Sequence, residues 1–301
     1  MNKISATLSV FNEERNIERC LRSLAFADEI IVVDNGSTDK TVELAKKFTK
    51  KIYNQKNDPS KIDIQKNLSF DKATGDWILN IDADEEVSPA LAEEIKKEIG
   101  NFDGYFIPRK NIIFGKWIQH SGWYPDFQLR LFKKGKGRFT KNHVHESLTI
   151  DGKVGYLKGE IIHHNYNAVS QFLKRAINVY IPSETQDYVD KGYVFSYSDA
   201  IKFPLKEFLS RFFSREGYKD GFHGLMLAML MAFYHFLIFV NLWELNKFKD
   251  LDENETKSFT ESEFAKVKKE FSFWLTKKKI DDVKNPIKKT YYKIINKIHA
   301  K

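Results

Sequence analysis

The sequence of 301 residues contains a single cysteine, only seven prolines, no internal repeat and no low-complexity linker. One thiol, Cys20, cannot close an intramolecular disulfide, and no His and Cys residues recur at zinc-ligand spacing. A disulfide scaffold and a structural zinc module are thereby excluded, and a reducing compartment is expected. The apolar run from Ile4 to Val10 meets Asn12, Glu13, Glu14 and Arg15 too early to act as an export signal, so secretion is not expected. There is also no Gly-rich, lysine-bearing phosphate loop near the start. Disorder is excluded by composition: 42% of the residues are hydrophobic and 14% aromatic, against a net charge of +8.

What is present in the first hundred residues is a regular exchange of two hydrophobic periods. Ile4 to Val10 is strand-like, and Glu13 to Leu24 places Ile17, Cys20, Leu21 and Leu24 at helical spacing. The β-branched run Ile30-Ile31-Val32-Val33 ends in Asp34-Asn35-Gly36, where Asn-Gly marks a turn before a helix through Val42, Leu44, Ala45 and Phe48. A short strand at Lys51 to Tyr53 and a helix over about Ile62 to Ala73 follow. Trp77-Ile78-Leu79-Asn80-Ile81 then reads as a buried strand that stops at Asp82-Ala83-Asp84-Glu85-Glu86. Ser88 and Pro89 supply the cap and first residue of a further helix. The expected fold is α/β, a mainly parallel sheet flanked by helices, with a C-terminal helical extension.

Such sheets gather ligands beyond the carboxyl ends of their strands. The clusters Asn12-Glu13-Glu14, Asp34-Asn35-Gly36 and Asp82-Ala83-Asp84 all fall at predicted strand ends and are expected to share one rim. Carboxylates at i and i+2 of an extended segment point to the same side, where they can share a hard cation such as manganese or magnesium. The competing reading is a polar strand end whose acids favour the next helix dipole.

From Gly100 to His164 the sequence turns to short, aromatic, glycine-punctuated segments that read as strands and loops. After Asn165 it becomes helical, with Val169, Phe172, Leu173, Ala176, Ile177 and Tyr180 on one stripe that Pro182 is expected to end. The expected division is 1–165 for a catalytic domain and 166–301 for a helical, membrane-associating region with a basic tail.

Four segments together, Leu8-Ser9-Val10-Phe11-Asn12-Glu13-Glu14, Val33-Asp34-Asn35-Gly36-Ser37-Thr38-Asp39, Gln65-Lys66-Asn67 and Trp77-Ile78-Leu79-Asn80-Ile81-Asp82-Ala83-Asp84-Glu85, resemble family 2 glycosyltransferases, the inverting group with a GT-A fold. Trp123-Tyr124-Pro125-Asp126-Phe127-Gln128-Leu129-Arg130-Leu131-Phe132 and His143-Val144-His145-Glu146 resemble the bacterial branch that contains lipopolysaccharide core β-glucosyltransferases.

The resemblance implies a transferase that moves a sugar from a nucleoside-diphosphate donor, UDP-linked, to a glycolipid or saccharide acceptor. Ser9, Phe11 and Glu13 map to the nucleotide pocket, with Ser9 and Phe11 replacing the family's usual proline and tyrosine. Asp34 maps to the position that accepts a hydrogen bond from the uracil imide, and Lys66 to a cation near the diphosphate. Asp82 and Asp84 map to the metal-binding pair, Asp84 being the one expected to coordinate directly, and His145 is a further candidate ligand. Asp126 maps to the base that deprotonates the acceptor. Each has a plainer alternative: packing for Phe11, a turn for Asp34, a solvent-facing helix position for Lys66, and loop positioning through Arg130 for Asp126. His163 and His164 read as structural. Cys20 reads as core.

Leu225 to Trp243 carries no formal charge and fits an interfacial helix, a span, or a helix packed in the soluble body or a dimer interface. Between Lys277 and Lys301 stand nine lysines and two aspartates, 9 − 2 = +7 of the whole chain's +8. That tail is suited to the anionic inner membrane surface, and the expected location is the cytoplasm, peripherally on the membrane's cytoplasmic face. Nucleic acid is not an expected partner, since no known binding module is present. A homo-oligomer is left open. The competing functions are a nucleotidyltransferase and a membrane-associated sugar-nucleotide binding protein without catalysis.

Overall fold

The computed structural model describes residues 2–58, 63–140 and 148–300. It divides into two compact units, residues 1–117 with 123–167, and residues 118–122 with 168–301.

In the first unit β1 (Ile4–Val10), α1 (Ile17–Ser23), β2 (Glu29–Asp34), α2 (Thr41–Ala45), β3 (Ile52–Asn54), α3 (Asn67–Lys72) and β4 (Trp77–Asn80) alternate. Next come β5 (Glu85–Val87), α4 (Pro89–Glu98), β6 (Gly104–Ile113), β7 (Lys116–Trp117), β8 (Asp126–Lys133), β9 (Gly137–Arg138), β10 (Thr149–Ile150), β11 (Val154–Tyr156) and β12 (Ile161–Tyr166). Among the described residues ten strands form one sheet along the path β3-β2-β1-β4-β8-β6-β12-β5, with β7 and β11 attached to β6. Strands β3, β2, β1 and β4 are parallel, as expected where helices provide the crossovers. Beyond β4 the sheet is mixed: β8 runs antiparallel to β4 and β6, and β12 is parallel to β6 but antiparallel to β5.

Strand β1 is buried on both faces, so Ile4, Ala6, Leu8 and Val10 are inside together with Ser5 and Thr7. Its apolar face joins α1 through Ile17, Cys20 and Leu21 and α4 through Leu91 and Ile95 in one core. Helix α4 starts as its sequence indicates, with Ser88 Oγ accepting from the Leu91 N–H at 3.2 Å. The helix predicted from Glu13 starts only at Ile17, and ahead of it the Glu13 and Glu14 N–H groups donate to Thr41 Oγ1 and Asp39 Oδ2 at 2.7 and 3.1 Å. Likewise the helix expected over 62–73 is a 3₁₀ turn at Ile64–Lys66 followed by α3.

The second unit consists of α5 (Val169–Arg175), α6 (Ile181–Asp190), α7 (Asp199–Leu209), α8 (Phe222–Leu245), α9 (Glu253–Asp282) and α10 (Pro286–Ala300). Pro182 does not end the helix before it. A π turn over Ala176–Tyr180 widens the backbone where the proline ring would meet the carbonyl four residues back, and α6 continues with Pro182 in its first turn. The 118–122 segment is fastened to this unit by buried Asp220, which accepts from the Gln119 and His120 N–H groups at 3.1 and 2.8 Å. Helix α9 opens on a reciprocal cap between Asp252 and Glu255.

Glu29, at the head of β2, gathers three approaching segments: it accepts from Ser5, from Lys51, and from the Gly75 N–H at 3.1 Å. Burial alone would raise its pKa, yet the bonds from Lys51 and Ser5 lower it from 4.5 to about 2. A carboxyl so depressed contributes stability that is complete above the ordinary glutamate value and is lost as pH falls toward the folded one. Urea denaturation between pH 5 and pH 2 should therefore show, as rough bounds, a steeper loss of stability in the wild type than in Glu29→Gln. Parallel curves would contradict the role given to this carboxylate.

Candidate active site

The loops after β1 and β2 are bonded to each other. Asn12 takes a left-handed backbone conformation, its N–H donates to Ser37 Oγ at 2.9 Å, and its Oδ1 accepts from the Thr38 N–H at 2.8 Å. Asp34 accepts from the Gly36 and Ser37 N–H groups at 3.2 and 3.1 Å, a turn that Gly36 permits with φ of +86°. The turn reading of Asp34 is thus realised, while a carboxylate keeps acceptor capacity for a further donor. Asn35 bridges the rim: its Nδ2 donates to Ser9 Oγ at 2.9 Å and its Oδ1 accepts from Gln55 Nε2 at 2.6 Å. Phe11 is 42% exposed, so its ring is not a core residue. Glu13 accepts from Asn16 Nδ2 at 2.8 Å.

From the end of β4 a line of alternating charges crosses the sheet. Lys66 is buried, not solvent-facing, and its Nζ lies 3.3 Å from Asp63 Oδ1 and 2.8 Å from Asp82 Oδ1. Arg130 of β8 donates through Nη2 to Asp82 Oδ2 at 2.6 Å and to Glu85 Oε1 at 2.7 Å. Glu85, fully buried, is also 3.5 Å from Arg109 Nη1 on β6. Arg109 then donates Nε and Nη2 to Asp126 Oδ2 at 2.9 and 2.6 Å. Three cations, Lys66, Arg130 and Arg109, thus alternate with three anions, Asp82, Glu85 and Asp126. Buried charges persist only when paired in this way. Burial works against the charge on Asp82, but Arg130 and Lys66 outweigh it and hold the carboxyl well below the ordinary range.

Asp82 commits one oxygen to Lys66 and the other to Arg130. Asp84 instead has its Oδ2 3.6 Å from His163 Nε2. The Asn111 amide, whose Nδ2 donates to the Trp123 carbonyl at 2.8 Å, presents Oδ1 to His163 Nδ1 at 2.7 Å. That orientation has His163 Nδ1 donate to Asn111 Oδ1 and leaves Nε2 facing Asp84. Among the described residues no three His, Cys, Asp or Glu side chains form a group able to hold a metal. A carboxylate pair with one imidazole still suits a cation that completes its shell with phosphate oxygens and water. His145, with His143 and Glu146, lies outside the described residues.

Asp126 opens β8, and its partner is Arg109, with Gln128 Nε2 at 2.8 Å and Asn111 Nδ2 at 3.3 Å. Loop positioning through Arg130 is therefore corrected, since Arg130 turns to Asp82 and Glu85. Burial opposes ionisation of Asp126, and Arg109 with Gln128 prevails, so its pKa is lowered. Cys20 is buried, its Sγ directed at the Asp82 carbonyl at 3.5 Å, and burial pushes the thiol well up, which removes it as a nucleophile. His164 pairs with Glu86 at 2.5 Å. Sequence reasoning missed Glu85, Arg109 and Asn111. The signal was a charged residue inside an apolar strand, as at Arg109 beside Ile107 and Pro108.

Residues 5–149 match the model of the family described as glycosyl transferase family 2. An uncharacterised glycosyltransferase of Rickettsia typhi is 32% identical over 262 residues, 82% of this chain and 88% of that protein. The lipopolysaccharide core biosynthesis glycosyltransferase LpsC of Rhizobium meliloti is 28% identical over 258 residues, 82% of this chain and 94% of that protein. Among solved structures, S. aureus TarS 1–349 in complex with UDP-GlcNAc is similar with a TM-score of 0.44 and 15% identity, covering 80% of this chain and 92% of that one.

Proposed function

Because the chain belongs to glycosyl transferase family 2, we propose that it transfers a sugar from a UDP-linked donor to a glycolipid or saccharide acceptor of the cell envelope, with inversion. The observation that carries this reading is the line of alternating charges that joins the Asp82 and Asp84 rim to Asp126. Ser9, Phe11, Glu13 and Asp34 form the nucleotide side, with the exposed Phe11 ring available for stacking on a base. The name of LpsC supports an acceptor in lipopolysaccharide core assembly.

Asp84 and Asp82, with His145 and the facing His163, are the proposed ligands of manganese or magnesium. Such a cation would neutralise charge on the departing diphosphate. Lys66 and Arg130 are fixed cations that act on the same charge. While Asp82 holds them they are pre-oriented, and an arriving diphosphate is a second anion they can share. Asp126, kept ionised and aimed by Arg109, accepts the acceptor hydroxyl proton as attack on the anomeric carbon develops. The nucleoside diphosphate leaves from the opposite face. No covalent intermediate on the protein is needed. A nucleotidyltransferase would require the lysine-bearing phosphate loop that the start of the chain lacks.

We place residues 1–165 as the catalytic part and 166–301 as the part that meets the cytoplasmic membrane face. Helix α8 is long and apolar enough to cross a membrane. It nevertheless packs on α6 and α7, with Tyr234 donating to Glu184 at 2.7 Å and His235 3.7 Å from Glu207, polar partners at odds with surrounding hydrocarbon. Its opposite stripe, Phe222, Met229, Phe233 and Phe236, is exposed, which favours lying in the interface over spanning. Helix α10 repeats the pattern with exposed Ile287, Tyr291 and Ile294 among lysines.

Incubation with UDP- and GDP-sugars and manganese should release nucleotide from one donor, and absence of turnover and binding with every donor would sink the reading. Asp84→Ala should abolish metal-dependent donor binding, whereas Asp126→Asn should keep binding and lose transfer by about two to four orders of magnitude. A normal transfer rate in the Asp126 variant would assign the base elsewhere. Removing the residues after Asp281 should reduce sedimentation with anionic liposomes, and unchanged sedimentation would count against the tail's role.

A further inference from the structure

The residue at the middle of the charge line touches both halves of the site without reaching either substrate position. The Glu85 N–H donates to the Asp82 carbonyl at 3.0 Å, and its Oε2 accepts from the Asp82 N–H at the same distance. The side chain thereby closes the turn that carries Asp82, Ala83 and Asp84. Its Oε1 meets Arg130, which holds Asp82, and lies near Arg109, which holds Asp126. Strand β5 pairs with β12 at Glu85 and His163, which fixes the backbone from which this carboxylate projects.

We propose that Glu85 is a positioning residue shared by the donor and acceptor halves of the site, setting at once the aim of the metal-side aspartates through Arg130 and the aim of the Asp126 carboxylate through Arg109. The proposal rests on the transferase reading. Its physical content is a competition for two guanidinium groups. With Glu85 in place, each arginine is divided between the central carboxylate and one outer carboxylate. Without the central charge, Arg130 belongs wholly to Asp82 and Arg109 wholly to Asp126, so a metal and an acceptor hydroxyl each face a carboxylate more strongly held by its own cation. A residue that only stabilised the fold would lower stability without changing both halves in this coordinated way.

The test compares Glu85→Gln with the one-sided variants Arg130→Gln and Arg109→Gln in the full chain. UDP binding in the presence of manganese is read by calorimetry, and sugar transfer is read separately with the donor found for the wild type. Arg130→Gln should bind manganese alone more tightly, because an Asp82 oxygen is released, yet weaken UDP binding, because a cation facing the diphosphate is lost, and Arg109→Gln should lower kcat for transfer with binding kept. Glu85→Gln should weaken manganese and UDP binding and lower kcat together, each by about 10- to 100-fold, the range found when groups that orient a metal ligand are removed. Glu85→Asp, which keeps the charge on a shorter stem, should recover part of both losses, and it stands in if the glutamine variant does not fold. Losses confined to one half, or binding and transfer both at wild-type level in Glu85→Gln, would overturn the proposal while leaving the transferase reading intact. A wild type that binds no nucleotide would overturn the transferase reading, and the proposal with it.

Discussion

Asp82 is held between Lys66 and Arg130, and the rest of the site is arranged around that buried ion pairing. Asp82 itself is 29% exposed, but desolvation still opposes its charge. Two cations keep it ionised, but those cations must themselves be balanced, and the balance is carried onward through Glu85 and Arg109 to Asp126. The consequence is that no member is independent. Moving one cation alters the charge felt by the next anion, and the sheet strands β4, β5, β6 and β8 must keep their register for the line to exist. In such a network, deletion of one partner costs more than the pair itself contributes, because the partner left behind remains buried.

The mixed part of the sheet matters for the same reason. A wholly parallel sheet would collect its functional residues on loops at one edge, each carried by its own strand end. Here β8 runs antiparallel into the centre between β4 and β6, so a strand interior delivers Arg130 beneath the Asp82 turn while the start of the same strand delivers Asp126 beside Arg109. The two ends of the charge line are thus joined by one strand. The helical unit offers exposed apolar stripes on α8 and α10, with lysines along α10, a composition suited to a lipid surface.

Much of this was legible in the sequence. The strand-end clusters, the capped start of α4 and the buried strand before Asp82 all follow from periodicity and local chemistry. What could not be read was pairing across the chain. Along β8, Asp126 and Arg130 occupy alternate positions on one face, and nearness in sequence suggested a partnership between them. The register of β6 with β8 instead sets Arg109 opposite Asp126. Lys66 had the look of a solvated helix position, and the approach of Asp82, together with Asp63, makes its burial favourable. Glu85 read as one more acid in an acidic run, since its burial depends on β5 pairing with a strand near the end of the unit. Pro182 failed as a stop signal because a π turn before it removed the clash on which the rule rests.

The central claim is that fixed cations occupy the Asp82 carboxylate before any metal arrives. It is tested most directly by titrating manganese, followed by electron paramagnetic resonance, into the wild type and Lys66→Met without nucleotide. If Lys66 competes for Asp82, the variant binds manganese alone more tightly, although it has lost a residue of the site. Equal or weaker manganese binding by Lys66→Met would contradict the account.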